Sequence, residues 1–143
     1  VKDANIVKKI IFIGIGAVLL IIVAILSWQH VKAAKEDAKT FRRLIGDWGA
    51  HDSEGLHDVR DIRSDGSFTV SVIPANNWGL LYHFEGTLQI KNGNLIETIT
   101  NHSDTNVHVP FTLREQIVHI NDNRFIVRTN GTTNELIFWK IQH

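Results

Sequence analysis

Residues 82–99 read YHFEGTLQIKNGNLIETI, and their pattern decides the fold. Tyr82, Phe84, Gly86, Leu88 and Ile90 fall on alternate positions, with His83, Glu85, Thr87 and Gln89 between them. Side chains of a strand project alternately to opposite faces, so one face here is buried and the other wet. The run breaks at Asn92-Gly93, a dipeptide that accepts positive φ in a tight hairpin turn. A second run over 94–100 returns at once. Together they predict an antiparallel hairpin with one face turned to a core.

The same signature repeats on either side. Asp65-Gly66 joins 57–63 to 67–73, where Phe68, Val70 and Val72 alternate with Thr69, Ser71 and Ile73. Asn121-Asp122-Asn123 joins 111–120 to 124–129, and Asn130-Gly131 leads into 135–141. Longer connections are expected at 74–79 and 101–109. Seven to eight strands in sequential hairpins make an all-β domain over residues 46–143, an antiparallel up-and-down meander. Closing it into a barrel or half-barrel removes exposed edges.

The N-terminal third is a different object. Ile10 to Leu26 is a run of seventeen residues without a polar side chain, IIFIGIGAVLLIIVAIL, which Ser27 and Trp28 extend to nineteen. At ~1.5 Å per helical residue it spans roughly 28 Å, close to the ~30 Å hydrocarbon core of a bilayer. A buried helix of a soluble protein would carry a polar stripe, and this segment has none. Lys8 and Lys9 flank it at one edge, placed to snorkel to phosphates, and Trp28 at the other is an interfacial ring. The competing reading is a secretory signal cleaved after Val31-Lys32-Ala33, but the apolar core exceeds the usual ~7–15 residues. Residues 1–30 are therefore read as a tail and one long transmembrane α-helix. Gly14, Ala17 and Ala24 share a face that lets a neighbouring helix approach closely.

Residues 31–45, VKAAKEDAKTFRRLI, continue the helix as a stalk. Ala34, Ala38, Phe41 and Ile45 form its apolar stripe, and Lys32 and Glu36 an i,i+4 ion pair. Lys32 and Lys35, with Lys8, Lys9 and Trp28, are expected to contact lipid headgroups.

The chain of 143 residues has no net charge, yet the charge is divided. Residues 1–45 hold eight basic and three acidic side chains, and residues 46–143 seven basic and twelve acidic. The basic residues are committed to the membrane end, which argues against a nucleic-acid partner. Bare flank counts favour a cytoplasmic C-terminus. Lys8-Lys9 abutting the apolar run, the acids diluting the later basic residues and the acidic domain favour the opposite. The expectation is a bacterial inner-membrane protein with its N-terminus inside and its β-domain in the periplasm. With no methionine in the chain, Val1 is expected to be a processed or incomplete start.

A family resemblance rests on two short segments. Leu44-Ile45-Gly46-Asp47-Trp48 follows a helix and opens the meander, and Ser64-Asp65-Gly66-Ser67-Phe68 forms the next hairpin. Both resemble lipocalin-like (calycin) domains. The resemblance implies that Trp48 closes the base of a barrel under an arginine from a late strand, with Arg128 first in line and Arg124 second. It implies an interior lined by Trp48, Phe68, Val70, Val72, Tyr82, Phe84, Leu88 and Arg128, with Gly86 leaving room. The central Thr-Asp-Tyr segment of such domains is missing, so the resemblance bears on architecture more than on an inherited ligand.

Catalytic signatures are missing. The chain has no cysteine, so disulfides, thiolate metal sites and a cysteine nucleophile are excluded. The histidine spacings, such as His51 to His57 and His102 to His108, match no helical metal pair, and no metal or cofactor is expected. There is no Gly-x-Ser-x-Gly and no phosphate loop. The carboxylates are read as lying on turns and outer faces, with Glu115 turned outward by a local bulge. Trp78 in Asn76-Asn77-Trp78-Gly79 is either a partner contact or a lid. The chain is thus not expected to be an enzyme. The leading expectation is an accessory subunit of a larger membrane complex, of photosynthetic, respiratory or secretion type, docked by its helix. The alternative is an anchored lipocalin-like binding protein for a small apolar ligand.

Overall fold

The computed structural model describes the backbone of residues 2–51, 56–74, 79 and 81–142, with side chains from Ile15 onward except at His51 and Leu56. One helix, α1 (Lys2–Leu44), precedes eight strands. These are β1 (Gly46–His51), β2 (Leu56–Ile62), β3 (Ser67–Pro74), β4 (Tyr82–Lys91), β5 (Asn94–His102), β6 (Phe111–Ile120), β7 (Arg124–Thr129) and β8 (Glu135–Lys140). The chain divides into two compact units, one up to Lys35 and one from Glu36 on.

In the first unit no proline interrupts the helix, and Gly16 sits in its apolar run. The side chains from Ile15 to Leu26 and on to Val31 are exposed all round the helix axis. By length and composition this helix suffices to cross a membrane. At its polar end the Lys32 ammonium stands over the Trp28 ring, 5.6 Å from its centroid.

In the second unit the strands run in sequence as an antiparallel meander, and β1 pairs with β8 to close the barrel. Asn92 (φ 52°) and Gly93 (φ 73°) both take the left-handed conformation that the β4–β5 hairpin demands. The last turns of α1 belong to this unit and close one end of the barrel. Leu44 is fully buried, and Phe41 packs on the core of Trp48, Ile62, Phe68, Leu95 and Phe125. Trp48 stands edge-on to Phe125 at 4.8 Å, and Phe125 stacks on Phe138 at 4.4 Å.

Polar contacts fix this closed end. The Trp48 indole Nε1 donates to the Leu44 carbonyl (2.7 Å), and the Lys140 ammonium donates to that of Ile45 (2.6 Å). Both carbonyls belong to the helix terminus, where partners are otherwise lacking and a cation is favoured. The Asp37 carboxylate accepts the backbone N–H of Asn92 (2.7 Å) and Gly93 (3.0 Å), so α1 clasps the β4–β5 turn.

At Gly86 the register of β4 and β5 shifts in a bulge. A Cβ there would lie 2.1 Å from the Thr98 carbonyl oxygen. Gly86 therefore does not leave room for a ligand; the β5 backbone occupies that space.

Candidate functional site

The barrel interior is built from alternate residues of all eight strands. Its half nearest α1 is packed, with Trp48, Phe68, Leu88, Leu95, Phe125 and Phe138 buried. Among the described residues the half toward the opposite end is less evenly buried, though Ile99, paired with Phe111, is fully buried there. Leu113 pairs with the fully buried Glu97 and so faces inward, yet it is 43% exposed. Tyr82 is exposed, and Val72, Phe84, Phe111 and Leu136 are half-buried around the same end. The His102 ring stacks on Phe84 at 5.7 Å. Its Nδ1 accepts the Asp104 backbone N–H (3.0 Å), which leaves Nε2 to carry the proton of the neutral ring.

Between the packed half and the mouth lies a cluster of charges. On β2, Asp58, Arg60 and Ile62 face inward, paired across to Val72, Val70 and Phe68. Arg60 is almost fully buried, with its guanidinium 4.4 Å from the Phe138 ring centroid. It donates from Nε and Nη2 to Asp58 (3.1 and 3.2 Å) and from Nη1 to Glu97 (2.6 Å). Glu97 reaches this position because it alternates with Leu95 and Ile99 on the inner face of β5. Glu115 on β6 pairs with the buried Leu95 and joins the cluster from the other side.

The electrostatics follow from that geometry. Burial pushes the Glu97 carboxyl above its ordinary value; Arg60 opposes the shift, and Glu115 and Asp58 reinforce it. Burial also works against the Arg60 charge, but Glu97 and Asp58 outweigh it and hold the guanidinium protonated. Two carboxylate oxygens, Oε2 of Glu97 and Oε2 of Glu115, are buried without a hydrogen-bond partner. Such oxygens are costly in a barrel that has only apolar packing to do. Among the described residues no group of three His, Cys, Asp or Glu side chains is placed to hold a metal ion.

Several expectations are corrected here. The carboxylates do not all lie outside: Asp58, Glu97 and Glu115 converge on Arg60. Glu115 is not turned outward, because the β6 bulge lies between Ile117 and His119, past it. Arg128 is not interior; it alternates with the buried Val127 and pairs with Glu135 across the outer face of β7 and β8. Arg124 stands over the outward Trp139 ring at 5.4 Å. The cation over Trp48 is Lys140, 4.6 Å from the ring centroid.

Of the other singled-out residues, Phe68 and Leu88 lie in the packed half and Val70 is buried, while Val72, Tyr82 and Phe84 lie toward the mouth. Ala17, Ala24, Trp28, Lys32 and Lys35 are exposed on α1. Lys8, Lys9 and Gly14 lie on α1 with their side chains outside the described residues, and Trp78 lies outside them altogether. Arg60 and Glu97 went unnoticed because polar strand residues are ordinarily assigned to the wet face. The signal was their step of two from Ile62 and from Leu95 and Ile99.

No protein-family model and no curated protein sequence matches the chain. Among solved structures it is similar to a lipocalin-like protein from Bacteroides uniformis, at 16% identity and a TM-score of 0.50, over 69% of this chain and 99% of that one. The identity is low enough that the likeness speaks to fold alone. The C-terminal part of this chain is thus a closed eight-stranded barrel of lipocalin-like fold, preceded by one long apolar helix.

Proposed function

We propose that the chain is a membrane-anchored binding protein that takes a small, largely apolar molecule into the mouth of its barrel. The carrying observation is Leu113, an inward-facing apolar side chain left 43% exposed beside a buried charge cluster. A barrel serving only as a spacer has no use for an exposed inward leucine above unpaired carboxylate oxygens. The anchor is the first part of α1, whose apolar side chains are bare all round from Ile15 to Val31. Lys8-Lys9 beside the apolar run favours an N-terminus inside and a periplasmic β-domain in a bacterial inner membrane.

Equilibrium dialysis of 1-naphthalenemethanol against the full chain in nanodiscs, with empty nanodiscs as reference, tests the binding. One saturable site per chain is expected, lost in Leu113→Lys and kept in Ile137→Lys on the outer face. Retention equal to that of empty discs contradicts it.

A second reading, an accessory subunit docked by its helix, draws on the same bare apolar surface, with Ala17 and Ala24 on it. Purification in mild detergent tests it: co-purifying membrane subunits support it, and a protein that runs alone contradicts it.

A further inference from the structure

Resting on the binding reading above, we propose that the ligand carries a protonated amine, which pairs inside the barrel with the free oxygens of Glu97 and Glu115. Three carboxylates and one guanidinium meet there, so the cluster holds two negative charges in excess when all are ionised, and one when the buried Glu97 keeps its proton. Arg60 is already committed, to Asp58 through Nε and Nη2 and to Glu97 Oε1 through Nη1. Glu97 is 1% exposed, and its second oxygen, like that of Glu115, has no partner.

Each alternative ligand class leaves this arrangement worse. An anion would add to the excess negative charge. A neutral molecule without donors would leave both oxygens unpaired. An ammonium brings one positive charge, which favours the ionised carboxylates, and up to three N–H donors to oxygens that then only accept. A bare metal ion finds no set of three ligands among the described residues. The approach runs past Leu113 on β6, which lies two residues before Glu115 on the same face. The apolar body would then rest against Leu113, Phe84 and Tyr82, which suits an aryl-alkyl amine.

The test uses the full chain in nanodiscs of zwitterionic lipid, dialysed against 1-naphthylmethylamine, 1-naphthalenemethanol and 1-naphthoate. The amine is expected to bind roughly tenfold more tightly than the alcohol, and the carboxylate most weakly. Glu115→Gln should bring amine and alcohol to near parity. Glu97→Gln should do the same, with near-ultraviolet circular dichroism confirming its fold. Alcohol binding as tight as amine binding in the unmodified chain overturns the amine assignment and leaves the binding reading standing. Retention of none of the three above empty discs overturns both. An amine preference that survives both substitutions overturns the assignment to these two residues.

Discussion

The ammonium of Lys140 stands 4.6 Å from the centroid of the Trp48 ring while donating to the Ile45 carbonyl at 2.6 Å. Trp48 in turn donates its indole N–H to the Leu44 carbonyl. The last strand, the first strand and the helix terminus are thus locked at one point. Lys140→Met removes both a charge-assisted bond and the ring contact, and should destabilise the β-domain by about 2 kcal/mol. Trp48→Phe orphans a buried carbonyl and leaves a cavity beside Phe125, at about 3 kcal/mol. Chemical unfolding of the full chain in detergent, followed by near-ultraviolet circular dichroism, measures both. A loss below about 0.5 kcal/mol for each would mean that the point is not a lock.

Gly86→Ala places a methyl 2.1 Å from the Thr98 carbonyl oxygen, which is backbone and cannot swing aside. The bulge between β4 and β5 must open. The expected cost is about 3 kcal/mol, the upper end of ordinary overpacking. Unfolding of the purified variant checks it, and an unchanged midpoint would show that β5 yields freely.

Asp37 accepts the two backbone N–H groups at the tip of the β4–β5 turn. Asp37→Ala should cost about 1 kcal/mol at this exposed position. Amide hydrogen exchange should quicken selectively at Asn92 and Gly93, with the Asp65-Gly66 turn unaffected. Equal acceleration everywhere would point to global destabilisation.

Much of this fold was legible locally. Asn92-Gly93 and Asp65-Gly66 mark hairpins because positive φ has few chemical solutions, and Phe68, Val70 and Val72 mark a buried face by period. The seventeen-residue apolar run needs no partner to be recognised. What escaped was long-range or polar. Lys140 meets Trp48 only because β8 closes on β1, a pairing without a local signal. On β2, Asp58 and Arg60 face inward while the apolar Val59 faces out, so hydropathy assigns the strand to the wrong face. Only the register of its neighbours reverses that assignment.

The Glu97 carboxyl is raised by burial in the folded chain, so folding takes up a proton over the window between its unfolded and folded values. Below about pH 4.3 both states are protonated and no penalty exists. As the pH rises, the unfolded chain releases its proton first, and stability falls until the folded carboxyl ionises too. Unfolding measured upward from about pH 4 should therefore show a downward slope that Glu97→Gln lacks. The same slope in both chains would place the proton uptake on another group.

On the binding reading proposed above, the end of the barrel opposite the last turns of α1 receives a small molecule. Methyl NMR of the full chain in nanodiscs, with leucine and isoleucine methyls labelled, reads it directly during titration with 1-naphthylmethylamine. Saturable shifts confined to inward methyls near the mouth, those of Leu113 and Leu136, with Ile137 on the outer face of β8 unmoved, are the predicted result. Shifts at Ile137 alone, or none that saturate, would contradict the account.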